Sequence, residues 1–401
     1  MTLASLALLA FALSPAGAGD AAPRASLPET IRRQAAAIRW TAALTDRLIR
    51  EMPKVETHVH LDGTLSPALI QELAAAHGLP PFAGKSVAEI RKLAVIDNPR
   101  GSLQEVLDAF ATFLPLLRRP EAVERAAYEL VKAARRQNIR HVEVRFAPAL
   151  LETPEFPPEG VLAAALRGLE RGRRELGVSS GVIVCLIRPF ELVSREKNEE
   201  MLELAVRYAG RGVVAIDLAG NEASAPLSEF REFYLRAKAA GLSTTAHAGE
   251  VPGSRDVETA LDLGVARLGH ATMLAGNPLL MQRVRERGVT LEINLTSNLR
   301  TAAVASYAEH PVRAFYKAGI PVTLSTDDPG VFGIDLGHEY GVLAGPLRFT
   351  PEEILSVSFQ GIDALFLPED RKREIRRDFE SSLAALLGRL RHAARPSDGV
   401  R

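Results

Sequence analysis

The sequence predicts an α/β protein built as a (β/α)8 (TIM) barrel, and three observations carry that expectation. Short β-rich runs alternate with amphipathic helical stretches along most of the chain, the pattern that builds a parallel sheet. Eight such runs fit within 401 residues, enough for a closed barrel of roughly 250 residues plus insertions. Polar side chains cluster where the runs end, the place where such barrels build active sites. An open doubly wound sheet is the alternative. It is disfavoured because no Gly-rich phosphate fingerprint follows the first run.

Taken in order, Leu3 to Leu13 is apolar apart from Ser5 and is followed by Ser14-Pro15 and Ala16-Gly17-Ala18. That is a short apolar core with an A-x-A cleavage pattern, too short to span a bilayer. Residues 1–18 therefore read as a secretory signal peptide, although no Lys or Arg precedes the apolar run. The expected location is periplasmic or secreted, with cytoplasmic as the alternative. Residues 19–50 form a helical extension. From Pro28 to Arg50 an apolar stripe recurs at helical spacing through Ile31, Ala35, Ile38, Ala42, Leu48 and Ile49.

The barrel domain is expected over 51–393. Its β runs are Val55–His60, His141–Pro148, Gly181–Arg188, Val213–Gly220, Leu242–Glu250, Arg267–His270, Thr290–Asn298 and Pro321–Pro329. Leu65 to Glu121 lacks any strand signal and reads as a helical insertion over the barrel mouth. Its apolar residues serve either as core or as a lid that shields substrate. Pro351 to Arg391 reads as two C-terminal helices, and 394–401 as a tail.

Composition removes several function classes. The chain is 47% hydrophobic and 24% charged, with 49 basic and 49 acidic residues and a formal net charge of +0. Nothing marks a nucleic-acid or membrane partner. Cys185 is the single cysteine, which excludes an intrachain disulfide and a thiolate metal cluster. It lies in an apolar run and reads as core.

The chemistry gathers at the run ends. In a strand, residues i and i+2 face the same side, so His58 and His60 aim two imidazoles at one point. His247 lies near the end of the fifth run and Asp327 near the end of the eighth. Three imidazoles and a carboxylate suit zinc or another borderline divalent ion. Glu250 follows His247 by three residues, close enough to act beside the metal without binding it. His270 is a candidate base. Asp328 adjoins Asp327 and diverges from it, so one carboxylate can ligate while the other faces substrate. A metal-acidified water with a nearby acid and base performs hydrolysis without a redox cofactor.

The motifs HVHLDG, DLAGNE, HAGE, LGH, TSN and STDDP occur in this order from about Pro53 to beyond Phe332. The chain thereby resembles the adenosine deaminase family of the amidohydrolase superfamily. The resemblance implies one zinc per chain, held by His58, His60, His247 and Asp327. Glu250 would protonate the purine ring nitrogen beside the reacting carbon. His270 would help activate and orient the water, and Asp328 would hydrogen-bond the attacking hydroxyl or a purine nitrogen. His60 would also lie against the substrate. Gly220 would offer its backbone to the purine, and Asp62 would bind a ribose hydroxyl. Leu103, Phe110 and Phe113 would form an apolar subsite.

The implied reaction is zinc-dependent deamination of adenosine and 2′-deoxyadenosine to the inosine products and ammonia. Related substrates are adenine, N6-methyl-AMP and aminodeoxyfutalosine; Asp62 favours a nucleoside, because adenine-deaminating relatives typically carry Glu there. The strand-four end has no Lys, which points to a mononuclear site. Asn294-Leu295 replaces the Cys-Pro that many members carry before Thr-Ser-Asn. Two other classes remain. One is a mononuclear amidohydrolase cleaving an amide or ester, against which Glu250 argues. The other is a non-catalytic nucleoside-binding protein, which the complete residue set disfavours.

Overall fold

The computed structural model describes residues 27–394. The apolar leader, residues 19–26 of the expected helical extension and the last seven residues lie outside that range. Eight parallel strands run in the order β1 to β8. They are β1 Lys54–His60, β2 Ile139–Phe146, β3 Ser179–Ile187, β4 Val213–Ala219, β5 Ser243–Ala248, β6 Arg267–His270, β7 Thr290–Ile293 and β8 Val322–Leu324. The sheet closes at its C-terminal rim: the His60 amide donates to the Asp327 carbonyl (2.8 Å) and the Asp327 amide to the His58 carbonyl (3.0 Å). This closure lays the last strand end directly on the His-x-His pair, so the barrel is the predicted (β/α)8 fold.

Long amphipathic helices cover the outside, among them Pro120–Arg136 and Pro158–Leu176, each with its apolar stripe buried. The barrel interior is charged rather than aliphatic. Glu143, Arg145, Asp217 and Glu292 have no exposed surface and Arg267 is 1% exposed. Arg145 bridges Asp217 (2.9 Å) and Glu292 (2.8 Å), while Arg267 pairs with Glu292 (2.6 Å) and Glu143. Buried charges survive only when paired in this way.

Several boundaries differ from expectation. The amino-terminal helical stretch is two helices, Glu29–Ala36 and Ala42–Glu51. Thr41 restarts the second by accepting the Leu44 amide, a side-chain cap that periodicity does not register. The seventh run ends at Ile293 and a helix begins at Leu295. The buried Glu339 carboxylate accepts the Thr296 amide at 3.2 Å and supplies what a strand partner would otherwise give. The eighth strand is only Val322–Leu324. The insertion after β1 contains the helices Pro67–His77, Val87–Ala94 and Leu103–Phe110 and no strand, and the C-terminal segment is two helices, Pro351–Ala364 and Glu369–Ala393. No described helix is long and apolar enough to cross a membrane.

Candidate metal and substrate site

The strand ends meet in one place. One ligand atom from each of His58, His60, His247 and Asp327 lies within 4.8 Å of the others. His60 and His247 face each other through Nε2 at 3.2 Å, and His58 Nε2 is 3.1 Å from Asp327 Oδ1. The protein sets the tautomers from behind. His58 Nδ1 sits 2.7 Å from Glu292 Oε2 and His247 Nδ1 is 2.9 Å from Asp217 Oδ2. Burial alone would raise Glu292; Arg145 and Arg267 overcome that and hold it ionised, well below the usual carboxylate range. A proton held on Nδ1 leaves the Nε2 lone pairs pointing inward. For His58 this sets a lone pair against the Asp327 carboxylate oxygen, which is repulsive unless a cation lies between them, and His58 Nε2 is buried with no hydrogen-bond partner. The donor set and its orphaned nitrogen fit a metal ion of the type bound by imidazole and carboxylate.

The remaining polar groups surround this point. Burial, then the neighbouring Asp327, pushes Glu250 up to about 8, while Thr301 Oγ1 donates to its Oε1 at 3.1 Å. His270 is neutral, because burial lowers its pKa well below the ordinary value. Its tautomer follows from a chain of contacts. His310 Nδ1 accepts the Val312 amide (3.1 Å), so His310 Nε2 donates to Asn298 Oδ1 (3.1 Å) and Asn298 Nδ2 donates to His270 Nδ1 (2.9 Å). His270 therefore presents Nε2–H towards Asp327 Oδ2, 3.9 Å away. Asp328 is raised well above its usual range by burial and by Asp327, and Asp62 is raised to about 6 by burial. Oδ1 of each is buried without a partner, an arrangement that asks for a ligand donor.

Two glycines make the site possible. A Cβ on Gly63 would stand 1.8 Å from Asp328 Oδ1, so the glycine of HVHLDG is the space that Asp328 occupies. Gly220 sits at φ +103, with its Cβ direction 2.3 Å from the Arg188 carbonyl. Asp327 and His270 also adopt left-handed backbone, at φ 62 and 65. Strain of this kind concentrates at functional sites and is held by the surrounding fold.

His60, His247, Asp327, Glu250, His270, Thr301 and Asp328 line one cavity of about 520 Å³, within the range of small-molecule sites, and His58 lies behind its wall. Leu103 and Phe110 of the insertion line it, together with Gly220 and Asp62. Phe113 does not. It is 2% exposed and packs behind Phe110, their rings 4.9 Å apart, so of the expected apolar trio only two face the cavity. The family resemblance grouped all three without telling which turned inward to the core. Sequence reasoning gave no role to Asp217, Glu292, Arg145, Asn298 and Thr301. Asp217 opens DLAGNE, Asn298 closes TSN and Thr301 follows it, while a charged residue inside an apolar run (Leu291-Glu292-Ile293, Val144-Arg145-Phe146) is the signal that points to the buried network.

The profile described as Adenosine deaminase matches residues 53–381. The chain belongs to the adenosine deaminase family. It is a hydrolase acting on C–N bonds. It is 31% identical over 342 residues to the adenosine deaminase of Clostridium kluyveri, an alignment covering 85% of this chain and 96% of the relative. Three solved structures share its fold. The adenine deaminase of Arthrobacter aurescens has a TM-score of 0.75 at 26% identity, covering 83% of this chain and 99% of that one. The N6-methyl-AMP deaminase of Arabidopsis thaliana has a TM-score of 0.71 at 26% identity, covering 84% and 98%. An amidohydrolase of Burkholderia ambifaria with bound zinc has a TM-score of 0.75 at 27% identity, covering 88% and 97%.

Proposed function

We propose that this protein hydrolytically deaminates adenosine and 2′-deoxyadenosine, with one zinc held by His58, His60, His247 and Asp327. The observation that carries the proposal is the placement of a buried carboxyl, Glu250, pushed up to about 8 by burial, in the same cavity as His60, His247 and Asp327 and the unpaired side-chain oxygens of Asp62 and Asp328. Zinc held there would supply Lewis acidity, of the kind that lowers the pKa of a water from 15.7 to about 7.

The chain's own residues do the rest. Glu250 holds a proton at neutral pH and delivers it to the ring nitrogen beside the amino-bearing carbon, which makes an otherwise poor electrophile attackable. Thr301 occupies one of its oxygens and leaves the other for the purine. His270 donates from Nε2 and aligns the attacking oxygen. Asp328 receives a hydrogen bond from that oxygen or from the purine edge. The attacking oxygen gives up its protons, one relayed through Asp328 to the amino group, which leaves as ammonia as the tetrahedral carbon collapses, and one restoring Glu250. Leu103 and Phe110 cover the flat base and exclude bulk water.

Asp62 supports a nucleoside over a free base, because a ribose hydroxyl supplies the donor its buried Oδ1 lacks. A nucleoside also fits better than a nucleotide. Arg188 is the one Arg or Lys among the described residues lining the cavity. Its guanidinium is committed to Asp256, the Ala225 carbonyl and the His247 carbonyl, which leaves no cation for a phosphate. The second reading is another 6-aminopurine, and the names of the adenine and N6-methyl-AMP deaminases sharing the fold keep it in view.

The test is a panel of adenosine, 2′-deoxyadenosine, adenine and N6-methyl-AMP with zinc-loaded enzyme. Loss of the adenine chromophore and ammonia release are followed together. Highest kcat/KM on the nucleosides is expected. No turnover of adenosine overturns the assignment. Glu250→Gln should retain zinc and lose most activity.

A further inference from the structure

The DLAGNE motif ends in a carboxylate that the chemistry above does not use. Glu222 is 7% exposed and accepts three consecutive backbone amides of the loop after β5: Gly249 at 2.7 Å, Glu250 at 2.9 Å and Val251 at 3.0 Å. The Ser254 hydroxyl donates to it as well. These amides have left the sheet and have no strand partner, so the carboxylate is what satisfies them. The opposite side of the loop is also held: the Gly249 carbonyl accepts the Met273 amide (2.8 Å) and Thr272 Oγ1 (3.0 Å). Gly249 turns at φ +77, and the chain then delivers the Glu250 side chain into the cavity against Thr301.

We propose that Glu222 is the positioning residue of the proton donor: by gathering the Gly249, Glu250 and Val251 amides on one buried carboxylate, it fixes where Glu250 meets the purine. The proposal rests on the reading that Glu250 is that donor. Charge acts in the same direction. Burial and Asp327 do most to keep Glu250 protonated, and the nearby Glu222 anion adds to them. A neutral replacement weakens both the grip on the loop and this electrostatic support. Ionised acceptors make the stronger hydrogen bonds, and a misplacement of about 1 Å at a reacting group costs roughly 100-fold in rate.

The experiment compares zinc-loaded wild type, Glu222→Gln, Glu222→Ala, Glu250→Gln and the double variant Glu222→Gln/Glu250→Gln on adenosine. For Glu222→Gln, near wild-type zinc content and KM within threefold are expected, with kcat lowered about 100-fold. In the Glu250→Gln background the same change should cost almost nothing further, because two residues acting through one group are non-additive. A surface cavity of about 580 Å³ reaches Glu222, Val251 and Ser254 from outside, so added formate should partly restore kcat of Glu222→Ala, and chloride should not. An active wild type and a crippled Glu250→Gln, with Glu222→Gln retaining full kcat or its loss simply adding to that of Glu250→Gln, overturns the brace alone. Wild type without adenosine turnover, or fully active Glu250→Gln, removes the reading of the donor and the brace with it.

Discussion

Gly63→Ala is the smallest change that should silence this site. The added Cβ would lie 1.8 Å from Asp328 Oδ1, 2.6 Å from its Cγ and 2.8 Å from its Cβ, where ordinary contact begins near 3.4 Å. The carboxyl group must therefore retreat by about 1.6 Å. It cannot do so by a small rotation, because its whole side chain is in contact. Gly63 is not at positive φ, so the substitution carries no backbone penalty and its effect is steric. A displacement of this size costs roughly 100-fold in rate, equivalent to about 2.7 kcal/mol of transition-state stabilisation. No metal-site residue is among the three nearest atoms to the new methyl group, so zinc content should hold. The assay is kcat/KM on adenosine from ultraviolet loss of the adenine chromophore, beside zinc content and Tm. A variant with normal zinc and kcat/KM within threefold of wild type refutes the reasoning, since Asp328 would then be free to move or irrelevant to turnover.

The other predictions address metal, substrate, pH and processing. Asp327→Asn should stay folded and lose zinc affinity by more than the about 10–100-fold typical of outer partners; unchanged metal content by elemental analysis contradicts the ligand set. Asp62→Ala should lower kcat/KM for adenosine by about 1.5–3 kcal/mol, chiefly through KM; an unaltered KM removes the ribose contact. His141 and His310 are both pushed down to about 3 by burial, from an ordinary 6.5. Their folded pKa lies below the unfolded one, so the unfolded chain binds more protons between pH 6.5 and 3. Stability is whole above 6.5 and falls with pH through that window, by at most about 2.7 kcal/mol per histidine at pH 4.5. Denaturant melts in chelator should show this slope, and His141→Gln should flatten it; an equal slope in the variant counts against the linkage. Amino-terminal sequencing of the expressed protein should begin near Gly19; an intact Met1 in the soluble fraction contradicts the leader.

Periodicity made the fold legible because a parallel barrel repeats one unit. Each strand is a short apolar run and each helix a stripe, and those signals are local. The ends of elements were less legible, since they depend on partners far away in the chain. Glu339, 43 residues from Thr296 in sequence, decides where the seventh strand becomes a helix. Phe113 and Phe110 read alike as apolar residues of the insertion, and only its packing turns one to the core and the other to the cavity.

The motifs by themselves determined the donor types, their order and the reaction class they suit, because His-x-His, HAGE and Asp-Asp at strand ends carry their chemistry in the residue identities. What only the tertiary structure decided is the state of those groups. Closure of β8 on β1 brings Asp327 to His58 across more than 260 residues, and Arg145, Glu292 and Asp217 then fix which imidazole nitrogens face inward. Protonation and tautomer follow from burial and from neighbours in three dimensions. The sequence names Glu250 as an acid, but only its burial beside Asp327, in a loop gathered by Glu222, gives it a proton to donate.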